Sequence, residues 1–344
     1  MNVAIVTGAA GWLGQGLVNA LARGLPDCAA LRESPVTGPI RAMDLPDSVA
    51  ALKKTSGERV EVIAGDVRDV ESCQRLMQGG AGATLFHSAG VIHPARVRDF
   101  YAVNLQGTKN ILAAAEEAGV RRAVIVSSNS PLGCNPHPDH LFDEESPYQP
   151  YMNYGRSKML MEQHVHAVQA AGRLETVLIR APWFYGPFQP PRQKLFFNMV
   201  RDGKAPIVGG GANLRSMAYI DNLAQGLLLA AVAPRAAGQT YWIADRRPYS
   251  MNEIVDTIER LLESEFGQQC AHRRLRLPGI ASDIAWCGDW LIQKLGAYEQ
   301  KLHVLSEMNK TIACSIAKAE RELGYDPQIS LEEGMRRSLA EAFS

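Results

Sequence analysis

The sequence predicts an α/β protein in which a doubly wound parallel sheet is joined to a smaller, mostly C-terminal lobe. Three observations support this class. Short β-branched apolar runs alternate with helical patterns, the runs are almost free of polar residues, and a glycine-rich turn follows the first run. Strands that are apolar on both faces are typical of parallel sheets covered by helices on each side. The alternation of strand and helix indicates crossover connections between the strands.

Five strands are predicted in the first part of the chain. They occupy residues 3–6, 40–44, 60–65, 83–90 and 123–128. Between them, apolar residues at helical spacing predict helices in WLGQGLVNALARG, VESCQRLMQ and TKNILAAAEEAG.

This alternation ends after TVLIRAP (residues 176–182), where a stretch dense in proline and aromatic residues follows. Further strands are predicted in SMAYI and TYWIA, and the last third of the chain has a helical pattern. We therefore divide the chain into a sheet domain of residues 1–182 and 217–244 and a smaller lobe of residues 183–216 and 245–344.

The composition is that of a globular protein, with 46% hydrophobic and 21% charged residues. Lysine and arginine number 36, as do aspartate and glutamate, so the formal net charge is zero. A neutral chain without basic blocks disfavours nucleic acid or an anionic membrane as the main partner. The longest apolar stretch, GLLLAAVA, is too short to span a bilayer. We therefore expect a small-molecule substrate as the partner.

The six cysteines include no CxxC pair. This usage is typical of reduced thiols and favours a cytoplasmic location. The apolar run at the N-terminus is too short for a signal peptide. The histidines of HPDH (137–140) and HVH (164–166) have no third ligand at a recognised spacing, so we expect no metal site.

The turn TGAAGWLG carries Gly8, Gly11 and Gly14 between the first strand and the first helix. Such a turn aims backbone N–H groups and the positive end of the helix dipole at one point, which suits a pyrophosphate. In this interpretation Gly8 makes the turn, Gly11 lets the phosphate approach, and Gly14 lets the helix pack on the strand. We assign Trp12 and Leu13 to the same cofactor-binding turn. The spacing is GxxGxxG, whereas the commoner dinucleotide fingerprint is GxGxxG.

An acidic residue, Asp44, ends the predicted strand IRAMD. There its carboxylate can accept both ribose hydroxyls of NAD and repel the 2′-phosphate of NADP. Asp44 lies 30 residues beyond Gly14, further than usual, because residues 25–39 delay the second strand. If ALR were that strand instead, Arg32 would end it and favour NADP.

A second acidic residue, Asp66, follows the third strand in the segment AGDV. We assign it, with Val67, to cofactor binding, where its carboxylate can bond the adenine amino group. An equally good interpretation makes Asp66 the N-cap of the helix VESCQRLM.

The segment YGRSK places Tyr154 and Lys158 four residues apart, on one face of a predicted helix. A nearby ammonium, reinforced by the positive nicotinamide ring, lowers the pKa of a phenol from about 10 and makes it usable at neutral pH. Ser127 and Ser128 end an earlier strand, and strand C-termini line the ligand crevice of a doubly wound sheet.

Together these motifs resemble the extended short-chain dehydrogenase/reductase family, which includes nucleotide-sugar epimerases and 3β-hydroxysteroid dehydrogenases. The resemblance covers nearly the whole chain. Its segments are TGAAGWLG, GDVRD, FHSAG, VNLQGTKNIL, VSSNSPLG, YGRSK, LIRAPWFYGP, AYIDNLAQGLLLA and KAERELGYDP. It implies a Rossmann-type domain that binds NAD or, alternatively, NADP, with the smaller lobe binding the substrate.

The resemblance also implies a Ser–Tyr–Lys triad. Tyr154 exchanges a proton with the substrate oxygen, and Ser128 orients that oxygen. Lys158 lowers the pKa of the tyrosine and bonds the nicotinamide ribose. Ser128 matches the family spacing to Gly133, with Ser127 as the alternative.

Four more residues are assigned to the cofactor through the resemblance. Ala89 and Gly90 pass close to it, and Pro182 belongs to the same site. Asn104 braces the active-site end of its helix, or it simply caps the helix LQGTKNIL.

The substrate is suggested by the aromatic residues after the last strand. Trp183 stands where epimerases carry an asparagine and hydroxysteroid relatives an aromatic residue, and with Phe184 it gives an apolar wall. This favours an oxidoreductase for a hydrophobic, 3β-hydroxysteroid-like secondary alcohol or ketone. Arg215 matches the arginine that epimerases use on the diphosphate, so a nucleotide-sugar epimerase is the alternative. Dehydratases carry acidic residues where this chain has Asn129 and Ser130.

An NADP-sensing regulator is disfavoured, because such relatives lose the tyrosine or the lysine and both are present here. In relatives, the helices that contain Asn104 and Tyr154 pair across a dimer. We therefore expect an enzyme that forms a homodimer.

Overall fold

The computed structural model describes residues 1–343 as a parallel sheet with helices on both faces and three small two-stranded sheets beside it. The strands are β1 (Ala4–Thr7), β2 (Ile40–Asp44), β3 (Val60–Ala64), β4 (Thr84–His87), β5 (Arg122–Ser128), β6 (Glu175–Ala181), β7 (Trp183–Tyr185), β8 (Pro206–Val208), β9 (Leu214–Arg215), β10 (Met217–Tyr219), β11 (Thr240–Trp242), β12 (Tyr249–Ser250) and β13 (Leu275–Leu277). The helices are α1 (Trp12–Arg23), α2 (Pro46–Ser56), α3 (Val70–Met77), α4 (Val97–Phe100), α5 (Thr108–Glu117), α6 (Met152–Ala170), α7 (Pro191–Arg201), α8 (Ile220–Val232), α9 (Met251–Ser264), α10 (Ile280–Lys294), α11 (Gln300–Glu307), α12 (Ala317–Leu323) and α13 (Leu331–Phe343).

The central sheet has seven strands within residues 1–343, in the order β11–β6–β5–β4–β1–β2–β3, and every neighbouring pair is parallel. From β1 the chain first builds outward through β2 and β3, then crosses to β4 on the other side. At such a reversal the C-terminal strand ends open into a ligand crevice. The predicted doubly wound α/β class is confirmed.

Burial on both sheet faces explains why the strands are so apolar. All four residues of β1 and of β4 are buried. One cluster of buried side chains joins the sheet to α1, α8 and α9, and a second joins it to α3, α5 and α6. Each large apolar side chain buried in this way stabilises the fold by about 1.5–3 kcal/mol.

The elements beyond the central sheet form smaller pairings. Strand β7 pairs with β10, β9 with β12, and β8 with β13. Helices α10 and α11 pack against each other as a helical hairpin, which also contacts α6. Among residues 1–343, no helix is both long enough and apolar enough to cross a membrane.

A buried arginine, Arg122, closes the C-terminal end of α8. Its Nη1 donates to the carbonyl oxygens of Ala230, Ala231 and Ala233 at 3.0, 3.1 and 2.7 Å. Its Nε donates to Glu175 at 2.8 Å. The last carbonyls of a helix have no partner within the helix, so one guanidinium satisfies them and opposes the negative end of the helix dipole.

We expect Arg122→Met to lower the free energy of unfolding by about 2–4 kcal/mol, because the carbonyls of Ala230 and Ala233 lose their side-chain donor. The Ala231 carbonyl and Glu175 then keep only Arg121, at 3.2 and 3.7 Å. The exposed pair Arg173–Glu116, with N and O 2.8 Å apart, supplies the control. Arg173→Met should cost less than about 1 kcal/mol. Denaturant unfolding of both variants measures the difference, and equal losses would show that Arg122 does not support α8.

Candidate active site

The glycine turn joins β1 to α1 through contacts that leave no room for side chains. Gly8 has φ +70°, and a Cβ there would stand 2.6 Å from the backbone of Ala89. A Cβ on Gly14 would stand 1.9 Å from the Gly8 carbonyl oxygen. Gly11 differs, because a Cβ there would meet only the Gly8 oxygen, at 3.1 Å. Packing therefore excludes a side chain at Gly8 and Gly14, whereas at Gly11 it would require the Gly8 oxygen to shift by a few tenths of an ångström.

The start of α1 points its backbone N–H groups into the crevice. Gly11 is the N-cap and offers no side chain to satisfy them. The indole of Trp12 turns away and donates to the carbonyl oxygen of Pro187 at 2.8 Å, while the side chain of Leu13 is buried in the core. Trp12 and Leu13 can thus face a ligand here mainly through their backbone.

Asp44 lies beside this turn despite the long separation in sequence. Its carboxylate accepts the backbone N–H of Ala10 and that of Leu45, each at 2.7 Å. The alternative based on Arg32 is wrong, because Ala30 and Leu31 belong to a short 3₁₀ turn, Ala29–Leu31, and Arg32 follows that turn outside the sheet. The strand beside β1 is IRAMD, and its C-terminal residue is acidic.

Asp66 is close to the crevice but does not cap a helix. The N-cap of α3 is Asp69, whose carboxylate accepts the backbone N–H of Ser72 at 3.0 Å. The N-cap interpretation of Asp66 is therefore wrong. Burial works to raise the pKa of Asp66, but hydrogen bonds from Arg68 outweigh it and lower that pKa. The neighbouring Val67 is buried, and its carbonyl oxygen accepts the Asn110 amide at 3.0 Å.

Asn104 links two parts of the site. It lies inside a widened, π-helical turn, Tyr101–Gly107, so the N-cap interpretation is wrong. Its Oδ1 accepts the N–H of Val91 at 2.9 Å, and its Nδ2 donates to Ser157 at 3.1 Å. The loop after β4, which contains Gly90, is thereby tied to α6. A Cβ on Gly90 would approach the Asn104 oxygen to 3.2 Å.

The structure brings Ser128, Tyr154 and Lys158 together at the C-terminal end of β5. Burial raises the pKa of the Tyr154 phenol to about 12, a hydrogen bond from Ser128 works to lower it, and the charge of Glu307 adds to the rise. Lys158 is buried and donates to the carbonyl oxygen of Val126 at 2.8 Å. Burial lowers the pKa of Lys158 to about 8. Among the protein's own groups, burial outweighs the contributions that lower the pKa of Tyr154. The lowering predicted from Lys158 together with the nicotinamide ring stays a prediction.

Ser127 is held by a buried ion pair next to this group. Its hydroxyl donates to Glu162 at 2.5 Å. Glu162 also accepts from Arg180 at 2.9 Å and from Tyr148 at 2.8 Å. The sequence did not identify Glu162, Arg180 or Tyr148 as residues of the site. The engagement of Ser127 by Glu162 favours Ser128 as the serine that faces a substrate.

A second polar chain ties the first turn of α6 to the α10–α11 hairpin. Asn153, the neighbour of Tyr154, donates from Nδ2 to Gln293 at 2.9 Å. Gln293 donates to Asp289 at 2.9 Å, and the other oxygen of Asp289 lies 2.8 Å from Nδ1 of His303. Nothing in the sequence marked these residues, since they come from segments about 140 residues apart.

The aromatic wall expected at the substrate side is present in part. Pro182 separates β6 from β7, which contains Trp183 and Phe184. Trp183 is 39% exposed, and Phe184 packs edge-on against Trp12 with ring centres 5.2 Å apart. Arg215 lies in β9, and its guanidinium donates to the backbone carbonyl oxygen of Glu307. Its buried Nε has no partner within residues 1–343.

Comparisons with known proteins agree with this geometry. The chain matches the model of the NAD dependent epimerase/dehydratase family over residues 4–244. It is 52% identical to y4nL, an uncharacterized protein of Sinorhizobium fredii, over 97% of this chain and 93% of that protein. It is 29% identical to a 3 beta-hydroxysteroid dehydrogenase/Delta 5-->4-isomerase of Mycobacterium tuberculosis, over 82% of this chain and 78% of that protein. A solved structure of DesIV, a dTDP-glucose 4,6-dehydratase from Streptomyces venezuelae with NAD bound, aligns with TM-score 0.73 and 25% identity, over 98% of this chain and 96% of that one.

The glycine turn, the parallel sheet and the Tyr–Lys helix define an enzyme of the extended short-chain dehydrogenase/reductase class. The chain belongs to the NAD dependent epimerase/dehydratase family.

We expect stability to fall as the pH rises through the pKa of His303. Burial works to lower that pKa, but the hydrogen bond to Asp289 and the charge of Glu307 raise it above 6.5. The charged imidazole therefore stabilises the fold fully below about pH 6.5, and this contribution is lost above the raised pKa. Denaturant unfolding across this pH range measures it. His303→Gln should reduce the pH dependence, whereas His272→Gln, at an exposed pair with Glu263, should leave it unchanged. An unaltered pH dependence in His303→Gln would contradict the assignment.

Proposed function

We propose that this enzyme is an NAD-dependent oxidoreductase that interconverts a secondary alcohol and a ketone on a hydrophobic, 3β-hydroxysteroid-like substrate. The observation that carries the proposal is the partly buried phenol of Tyr154 beside Ser128 at the C-terminal end of β5, with Lys158 one turn further along α6. The exposed face of Trp183 supports an apolar substrate. So does the similarity to a hydroxysteroid dehydrogenase.

The residues of the crevice fit NAD. Packing constrains position 11 less than positions 8 and 14, and a glycine there suits the close approach of a pyrophosphate to the start of α1. Each oxygen of Asp44 accepts one backbone N–H and keeps a lone pair for a ribose hydroxyl. The ammonium of Lys158 has three protons and gives one to the carbonyl of Val126, so others remain for the second ribose.

The side chains then divide the work of the reaction. NAD, when bound, accepts or supplies the hydride at the substrate carbon. The phenol of Tyr154, kept protonated by its raised pKa, donates its proton to the ketone oxygen in the reducing direction. Ser128 holds that oxygen by a hydrogen bond. In the oxidising direction the phenol first gives its proton to solvent, and the phenolate then takes the hydroxyl proton of the substrate. Lys158, one helical turn away, is the cation that favours the phenolate.

A nucleotide-sugar epimerase is the second candidate, because Arg215 lies beside the site with its Nε unpartnered within residues 1–343. Another nitrogen of the same guanidinium, Nη2, donates to the backbone carbonyl oxygen of Glu307. This hydrogen bond reduces what Arg215 can offer to a diphosphate. We therefore favour the dehydrogenase.

We further propose that residues 183–216 and 245–344 form the substrate side of the enzyme. The six cysteines are free thiols, which supports a cytoplasmic location. We also propose a homodimer paired through α5 and α6. A groove along these helices, lined by residues such as Lys109, Ala113 and His164, supports it.

Tyr154→Phe should lower turnover by at least about 10³-fold, because it removes the proton donor and little else. NADH formation with a panel of 3β-hydroxysteroids and other apolar secondary alcohols measures turnover. NAD affinity, measured by calorimetry, should stay within about twofold. Gly11→Ala is the complementary variant, because it should weaken NAD binding, which Tyr154→Phe leaves intact, while the fold remains stable. Retained turnover in Tyr154→Phe would contradict the mechanism.

The bound nucleotide distinguishes the two candidates. We expect the protein purified without added cofactor to be largely empty and to bind NAD reversibly, preferring it to NADP because Asp44 ends β2. Denaturation followed by chromatography of the released nucleotide measures this. Stoichiometric NAD carried through purification would instead favour the epimerase, which regenerates its cofactor in each cycle.

A further inference from the structure

Helix α10 buries three polar side chains and exposes most of its large apolar ones. Ser282, Asp289 and Gln293 are buried, and each is hydrogen-bonded to the hairpin or to α6. The outer side carries six large apolar side chains that are between 41 and 79% exposed: Ile280, Ile284, Trp286, Trp290, Leu291 and Leu295. A helix on a globular protein in water normally shows the reverse arrangement.

Four of the outer residues share one stripe: Ile280, Ile284, Leu291 and Leu295 recur at spacings of four and seven. At about 100° per residue, Trp290 and Trp286 lie roughly 110° and 150° around the helix from the middle of that stripe, with Asp283 and Lys294 between. The four exposed apolar side chains of the stripe are contiguous, and such a patch marks an interaction surface.

Basic residues flank this surface. Arg273 and Arg276 precede α10, Lys294 ends it and Lys301 follows; all four are exposed. None of them forms an ion pair within residues 1–343. The acidic residue on the outer side, Asp283, is neutralised by Lys310 at 3.0 Å.

We propose that the outer face of α10 binds the surface of an anionic lipid bilayer, with its apolar stripe among the upper acyl chains and the flanking basic residues on the headgroup phosphates. Tryptophan side chains favour this depth, and lysine and arginine reach from it to the phosphates. The ammonium of Lys294 lies 4.0 Å from the ring centre of Trp290, which places a cation next to an interfacial aromatic residue.

The helix lies on the bilayer and does not cross it. At 15 residues, α10 is about 22 Å long, shorter than the roughly 30 Å of a bilayer core. Its inner face, occupied by Asp289 and Gln293, must stay against α11 and α6. The expectation from net charge, that an anionic membrane is not a partner, averages over the whole chain and misses this local excess of basic residues.

The same helix also contacts the catalytic helix. Gln293 accepts the backbone N–H of Asn153 at 3.2 Å, one residue before Tyr154. A bilayer bound outside α10 therefore lies one helix away from the candidate active site, on the route of a substrate dissolved in lipid. The proposed binding of α10 to a bilayer is argued from its surface residues and does not rest on the proposed function.

Flotation with vesicles tests the proposal. The full chain should float with vesicles of phosphatidylcholine mixed with phosphatidylglycerol, bind pure phosphatidylcholine at least about tenfold less, and be released by high salt. Leu291→Glu should lower binding to the mixed vesicles at least about tenfold. Val232→Glu, at an exposed position near the end of α8, is the matched control and should bind within about twofold of the parent.

Tryptophan fluorescence gives a second readout. The mixed vesicles should shift the emission to shorter wavelength, and the shift should disappear in the Trp286→Phe/Trp290→Phe variant. NAD binding by each variant confirms that it has folded. Failure of the parent chain to float, or equal binding by Leu291→Glu and Val232→Glu, would overturn the proposal. So would a dimer that Leu291→Glu converts to monomers without any vesicle binding, which would assign the face to a second copy of the chain.

Discussion

The structure depends on the contact of bare backbone at the turn between β1 and α1. A Cβ on Gly8 would stand 2.6 Å from Ala89, and one on Gly14 would stand 1.9 Å from the Gly8 oxygen. This contact brings the first helix, the first strand and the loop after β4 to the point where the order of the sheet reverses. Asp44 reaches the turn for the same reason, and the uncapped start of α1 opens into the crevice. The shape of this turn thus depends on the absence of side chains at Gly8 and Gly14.

Local signals in the sequence were enough to predict the fold and the proximity of Ser128, Tyr154 and Lys158 to one another. The strands, the glycine turn and the Tyr–Lys spacing each lie within a few residues, so their geometry follows from one segment. Helix starts were harder, because several polar residues compete for each cap. The chain needs a few more residues after β3 before it turns, so Asp69 caps α3 in place of Asp66. The widened turn around Asn104 has no known sequence signal.

What the sequence did not reveal are contacts between distant segments. The pairing of Glu162 with Arg180 joins a helix to a neighbouring strand, and Gln293 reaches Asn153 from the C-terminal hairpin. One clue existed in the strand TVLIRA, where Arg180 is the lone charge in an apolar run. A charge buried there needs a charged partner, because an unpaired one is strongly unfavourable. No such clue marked Asp289, which sits in a helix whose exposed residues are the apolar ones.

The polar chain from Asn153 through Gln293 and Asp289 to His303 makes the catalytic helix and the C-terminal hairpin one mechanical unit. Replacing this hairpin with the hairpin of a relative would break the hydrogen-bonded chain unless all of these residues were replaced at the same time. Each buried group left unpaired would cost about 1–3 kcal/mol. Substitutions around Trp183 are therefore less constrained, because its aromatic contacts are not part of a chain of buried hydrogen bonds. Changes in substrate specificity should therefore arise first around Trp183, while the linked residues of the α10–α11 hairpin are retained together.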